Sequence, residues 1–243
     1  MTALRPLRLS PKLRPDAYQP FFRTHGRLHI PDVLDPGSAR VLHQTLSETT
    51  VWMRSFRAAK GRDVDMAVAE LESLPDAERA ALEFDLAASG EDVVRHVFDR
   101  VRVSSDLEAG LPVPAPLLDA LAFVNSKAFL DFITRVTGDS RVGFADMMAA
   151  RYLNGHFLTT HGDENPAENR LFAYVLTLAR DWRADWGGIL MFLDGDGHVS
   201  EGYVPAYNAL NLFAVPQLHA VSAVSRLARG PRLSVTGWIH ARP

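Results

Sequence analysis

Apolar residues follow two different periods along this chain. Before Gly138 they recur mainly at helical spacing, and after it they crowd into short runs rich in β-branched and aromatic residues. Residues 36–46 place Ala39, Leu42 and Leu46 on one helical face. Residues 126–138 carry the strongest helix pattern: Ser126 can cap the first turn, Phe129, Phe132, Ile133 and Val136 form one apolar stripe, and Gly138 can end it. Between them, Ser73-Leu74-Pro75-Asp76 has the composition of a helix start, with Leu82, Phe84 and Leu86 behind it. The pattern predicts that residues 21–140 are a mainly helical support and lid region. Residues 1–20, rich in proline and basic side chains, are predicted to form an extended arm.

After Gly138, residues 147–153, 171–179, 189–193, 209–215 and 232–240 read as strands separated by Gly, Asp, Asn and Pro clusters. Residues 180–188 and 194–203 read as connecting loops. Several short strands at such spacing imply a sandwich or barrel closed off by the preceding helices, in a single domain with its core in residues 141–243.

Composition narrows the chemistry. The chain has 243 residues, is 47% hydrophobic and contains no cysteine. Disulfides, thiolate catalysis, Cys-ligated zinc and iron–sulfur clusters are therefore excluded. A net charge of −3 predicts no strong attraction to nucleic acid or to anionic membrane. The first residues hold no apolar run long enough for a signal peptide or membrane span, so the expected compartment is the cytoplasm.

Against that background one constellation stands out. His161-Gly162-Asp163 is followed by His219 and then by Arg232, six residues before Trp238. Residues two apart on a strand point to one face, so His161 and Asp163 can bind one ion from a strand end, with His219 expected from a strand facing them across the barrel. Two His and one carboxylate leave open positions on an octahedral metal, the arrangement suited to non-haem Fe(II) and its co-substrates. If 2-oxoglutarate chelates that iron, its far carboxylate needs a cation inside an apolar barrel. Arg232 opens a strand whose Arg232, Ser234, Thr236 and Trp238 share a face. Arg226 and Arg229 are nearby alternatives in a predicted loop, and Tyr152 can donate to the same carboxylate. Trp238 reads as core. His25, His29, His43, His156 and His198 lie off the pattern, and His240 is the weaker rival for the third ligand.

These residues resemble a known family. Tyr152 stands nine residues before His161, and Arg170 precedes Tyr174-Val175-Leu176-Thr177-Leu178. Gly187-Gly188 precedes a strand, and His219-Ala220-Val221-Ser222 leads through a charged loop to Arg232-Leu233-Ser234-Val235-Thr236-Gly237-Trp238. The stretch 152–240 resembles the catalytic domain of the 2-oxoglutarate/Fe(II) prolyl hydroxylases, and its long gap between His219 and Arg232 resembles the ribosomal prolyl hydroxylase branch. The resemblance implies an α+β protein with a mostly β core: a double-stranded β-helix of the jelly-roll or cupin kind, flanked by N-terminal helices. It implies a dioxygenase with His161, Asp163 and His219 on Fe(II), and Arg232 and Tyr152 on 2-oxoglutarate. Thr177 occupies a position where the family often carries a second hydroxyl near that co-substrate. O2 is the second co-substrate and ascorbate a further candidate cofactor. The implied substrate is a proline-containing protein or peptide, with a ribosomal protein as the family's example. No direct nucleic-acid or membrane partner is expected, and the oligomeric state is left open. Two alternatives stand beside this reading: hydroxylation of a free amino acid or small metabolite, and a non-enzymatic β-barrel that binds a metal or ligand. A structural zinc site from the same residues lacks a fourth protein ligand.

Overall fold

The final strand, β13 (Arg232–Ala241), is buried on both faces, and this organises the molecule. Its Leu233, Val235 and Ile239 belong to a large apolar core shared with the helices. Its Arg232, Ser234, Thr236 and Trp238 line an inner pocket instead. The neighbouring strand β8 (Arg170–Leu178) divides the same way: Phe172, Tyr174, Leu176 and Leu178 face the helices, and Ala173 and Val175 face inward. A strand covered on both sides reads as an almost continuous apolar run, as residues 171–179 do. The chain is described by a computed structural model that covers residues 6–57, 63–78 and 94–242.

The remaining strands in chain order are β1 (Arg27–Pro31), β2 (Met53–Arg57), β3 (Asp63–Ala67), β4 (His96–Val101), β5 (Val142–Ala145), β6 (Met148–Tyr152), β7 (Phe157–His161), β9 (Leu190–Leu193), β10 (Val199–Tyr203), β11 (Tyr207–Ala214) and β12 (His219–Val221). They form one antiparallel sheet in the order β1-β11-β8-β13-β6-β4-β7-β12-β9-β10, with β2 and β3 attached through β4 and β5 paired to β13. The sheet curls until its ends meet, where Arg27 of β1 ion-pairs Glu201 of β10. The result is the nearly closed, jelly-roll-like barrel expected of a double-stranded β-helix.

Among the described residues the α-helices are α1 (Pro15–His25), α2 (Pro36–Gln44), α3 (Val68–Ser73), α4 (Val103–Glu108), α5 (Ala115–Val124) and α6 (Lys127–Thr137), and all but α3 contribute buried residues to the large apolar core. Helix α6 matches its sequence pattern closely. Ser126 Oγ accepts from the Phe129 amide, Gly138 ends the helix at φ 74°, and Phe129, Phe132, Ile133 and Val136 are buried. Among the described residues no helix is long and apolar enough to cross a membrane.

Three expectations change. The predicted extended arm is extended only at first: the Ser10 amide donates to Val33 O, and from Pro15 the chain is helical. Proline suits that first turn because its missing N–H would have no partner there. The region 21–140, predicted mainly helical, also supplies β1 to β4. These strands show no clean apolar alternation: β1 buries only Ile30, β3 buries nothing, and β4 buries Asp99, which accepts from Arg151 Nε at 2.8 Å and from Arg54. Residues 194–203, predicted as a loop, contain β10, an edge strand with little burial and hence no hydrophobic alternation. Residues Asp76–Glu78 are helical, as the Ser73–Asp76 signal predicts, and Leu82, Phe84 and Leu86 lie outside the described residues.

Buried polar groups make two stability predictions. Asp99→Ala strands two partly buried guanidiniums, and urea unfolding is expected to show a loss of about 3–5 kcal/mol. The control Asp139→Ala removes a surface ion pair with Arg141 and is expected to leave the midpoint unchanged. His96 and His156 are also buried. The first is held by Ser55 Oγ at 2.9 Å, and the second has an unpaired Nδ1. Burial pushes both imidazoles down from 6.5 to about 4. Below pH 6.5 the unfolded chain takes up protons that the fold refuses, so stability is full above that pH and falls as pH drops toward 4. A His96→Gln/His156→Gln variant should therefore lose about 1–2 kcal/mol less per histidine than wild type between pH 7 and pH 5. Equal losses in chemical denaturation at the two pH values would refute this assignment.

Candidate functional site

The inner pocket lies between β13, β8 and β6 on one side and β7 and β12 on the other. Strand β7 ends at His161, and β12 begins at His219. The two strands pair antiparallel with His161 directly opposite His219, so the imidazole centroids lie 4.1 Å apart. This corrects one expectation: His219 comes from the adjacent strand and not from across the barrel. Asp163 also reaches the cluster by a different route. The strand stops at His161, and Asp163 adopts a left-handed backbone with φ 64° that turns its carboxylate back. Aspartate tolerates that conformation better than most residues. Its Oδ1 lies 3.3 Å from His161 Nε2 and its Oδ2 lies 3.4 Å from His219 Nε2. One ligand atom from each residue falls within 4.8 Å of the others.

Backbone carbonyls choose the histidine tautomers. His161 Nδ1 lies 3.0 Å from Thr159 O, and His219 Nδ1 lies 2.8 Å from Gln217 O. A carbonyl can only accept, so each Nδ1 carries the proton and each Nε2 points at the shared centre. Burial lowers the His219 imidazole, assisted by neighbouring His161. Burial also works against protonated His161 and against ionised Asp163. For this pair their mutual attraction outweighs it, raising His161 and lowering Asp163. The Trp238 indole N–H leans toward the carboxylate closely enough to favour its ionised form, without a closed hydrogen bond.

Arg232 stands on the same pocket wall and is 2% exposed. Its Cζ lies 4.8 Å from the centroid of the Tyr152 ring, its register partner on β6, and its Nε has no hydrogen-bond partner. It has no carboxylate partner among the described residues. Burial alone lowers its pKa, because nothing anionic beside it compensates the lost hydration. Tyr152 is stacked on Phe98 at 5.0 Å, and burial pushes its phenol up to about 12. A buried cation with a free donor, facing a pocket that also holds His161, Asp163 and His219, is what an anionic ligand of that pocket would neutralise.

The other candidates separate clearly. Thr177 lies beside Ser234 in register, but its hydroxyl donates to Ala209 O at 3.1 Å and it is not on the pocket wall. The expected contact of Thr177 with a co-substrate is therefore not supported; the strand end turns the hydroxyl toward β11. Arg226 and Arg229 are exposed in the loop before β13. His240 is engaged elsewhere, with Asp146 Oδ2 at 3.1 Å and Glu168 O at 2.7 Å. Trp238, read from sequence as core, lines the pocket beside Asp163. Phe98 was missed altogether, because it arrives on β4 from a region whose strands carry no clean alternation.

The donor set fits an octahedral ferrous ion: two neutral imidazole nitrogens and one carboxylate, with Arg232 left over for the far end of a dicarboxylate. Comparison with known proteins agrees. Residues 147–240 match the 2OG-Fe(II) oxygenase superfamily. The chain is 31% identical over 132 residues to prolyl 3-hydroxylase OGFOD1 of Mus musculus, a stretch that is 51% of this chain and 24% of the mouse protein. The chain thus spans about a quarter of that relative's length. Among solved structures, a prolyl-4-hydroxylase from Pseudomonas putida superposes with TM-score 0.57 at 19% identity, covering 95% of this chain and 100% of that one. A prolyl hydroxylase from Trichoplax adhaerens, in complex with a hypoxia inducible factor oxygen degradation domain peptide fragment, gives 0.58 at 15% identity, covering 93% and 89%. Such distant likeness speaks for the fold alone, and residues 147–240 carry the sequence match to the 2OG-Fe(II) oxygenase superfamily.

Proposed function

We propose that this protein hydroxylates a prolyl residue of a protein or peptide substrate, with Fe(II) held by His161, Asp163 and His219 and 2-oxoglutarate anchored by Arg232. The observation that carries the cofactor assignment is the buried, unpaired Arg232 in the same pocket as the three converging ligand atoms. The iron and co-substrate, when bound, supply the oxidising power for C–H hydroxylation with O2.

The protein's own share follows from the geometry. The Nδ1–H bonds to Thr159 O and Gln217 O fix the tautomers and aim each Nε2 at the shared centre. Asp163 offers charge to offset the metal. Arg232 presents a planar fork to a carboxylate, and Tyr152 holds that fork against its ring face. Ala150, Val175, Leu158 and Val221 keep the pocket apolar around these groups, which excludes water from the reacting centre. The proline assignment rests on the mouse relative's printed activity, and a ribosomal protein is the substrate class suggested by the branch that the motifs resemble.

Two experiments test this. Metal-free protein is titrated anaerobically with Fe(II) and then 2-oxoglutarate. A visible charge-transfer band is expected only with both additions, absent in His161→Ala, and needing far more 2-oxoglutarate in Arg232→Met. Proline-containing ribosomal peptides should then gain one oxygen atom by mass spectrometry, and Asp163→Ala should abolish the gain. Iron binding without the band would remove the co-substrate assignment. A band without peptide oxidation would turn the search to free amino acids. Because Arg232 is a buried charge without a partner, Arg232→Met is also expected to raise the unfolding midpoint of the ligand-free protein, by about 1–4 kcal/mol of stability. A lower midpoint would show that the guanidinium is already satisfied.

A further inference from the structure

The carboxylate ligand is the least secured of the three by regular structure. His161 and His219 are fixed by strand pairing, whereas Asp163 sits beyond the end of β7 in a left-handed conformation. A non-glycine residue persists there only when its surroundings hold it. The groups that hold it are visible. The segment 162–169 returns to the barrel at β8, whose first residue is Arg170. The Arg170 Nη1 donates to the Asp163 carbonyl at 3.1 Å. Its Nε and Nη2 grip the Glu168 carboxylate at 2.8 and 2.7 Å. Its Cζ lies 3.6 Å from the centroid of the Trp238 ring, the same indole whose N–H leans toward the Asp163 carboxylate. The far end of the segment is tied to β13 as well, by His240 Nδ1 on Glu168 O at 2.7 Å and by the Ala241 amide on Asn169 O at 3.0 Å.

We propose that Arg170 is a positioning residue for the metal site: one guanidinium clamps the turn that carries Asp163 onto Trp238 and so holds the carboxylate facing His161 and His219. The proposal rests on the reading of those three residues as iron ligands. Arg170 touches neither the metal position nor Arg232, so it acts on metal binding and leaves the co-substrate anchor alone. Only arginine meets all three demands at once, because a planar fork can grip Glu168, stack on an indole and still present an N–H to a carbonyl.

The test is anaerobic metal titration of the full chain with Fe(II) and, for spectroscopy, Co(II), at a temperature where circular dichroism shows every variant folded. Arg170→Met keeps an unbranched stem over Trp238 and removes every donor. Its Fe(II) affinity is expected to fall roughly tenfold or more. Its Co(II) d–d spectrum should move toward that of Asp163→Ala, while the 2-oxoglutarate affinity of the iron-saturated form stays at the wild-type value. Arg170→Lys, with one charged donor, should recover part of the affinity. Wild-type Fe(II) affinity and an unchanged Co(II) spectrum in Arg170→Met overturn the proposal. If Arg170→Met does not fold, Arg170→Gln, too short to keep both the fork and the carbonyl bond, decides by the same two readouts. Failure of wild type itself to bind Fe(II), or binding that survives His161→Ala, refutes the iron reading and not the clamp alone.

Discussion

The antiparallel register that sets His161 opposite His219 is the constraint on which the site depends. Two strand ends, one finishing and one starting, bring two imidazoles within 4.1 Å at the rim of the pocket. A slip of one residue would send each ring to the opposite face of the sheet. The register is held by the strands on either side: β4 pairs with β7, and β9 pairs with β12. The carbonyls of Thr159 and Gln217, each two residues from its histidine, then set the proton position on each ring. The convergence of the two imidazoles is thus a by-product of sheet geometry. Asp163 is held by a turn and the side chains that brace it.

Charge is arranged along the pocket with equal economy. An anionic group, Asp163, sits at the end where the histidines converge, and a cation, Arg232, sits on β13 against the Tyr152 ring. The molecule tolerates an unpaired buried guanidinium that would otherwise be replaced by an apolar side chain. The buried carboxylate of Asp99, by contrast, lies between Arg54 and Arg151. A satisfied buried carboxylate thus stands beside a buried arginine whose Nε keeps a free donor.

Much of the fold was legible where burial is one-sided or complete. Helix α6 shows its cap, stripe and stop in sequence, and β8, β11 and β13 show apolar runs. The four strands before α4 were not legible, because β1 and β3 bury almost nothing and β2 and β4 carry charges among their apolar positions. Asp99, Arg54 and Arg151 look like surface residues until the sheet brings them together. Edge strand β10 escaped as β1 and β3 did, having almost nothing to bury. In the site, His161, Asp163, His219, Arg232 and Tyr152 were singled out in advance and lie around one pocket. Phe98 and the part played by Trp238 were not foreseen. Thr177 went the other way: its hydroxyl donates to the Ala209 carbonyl of the neighbouring strand β11.

The amino-acid sequence by itself determined the chemical inventory and its order. Residue type decides which side chains can ligate a metal or grip a carboxylate, and a period of two decides that Arg232, Ser234, Thr236 and Trp238 share a face. Only the tertiary structure decided which strands are neighbours, and therefore that His219 approaches from beside His161. It alone showed that Asp163 turns left-handed under Arg170 and that, among the described residues, Arg232 Nε has no hydrogen-bond partner. Those are relations between residues far apart in the chain. Local propensity carries no information about them, because they come into being only when the sheet closes and each buried group either finds a partner or is left without one.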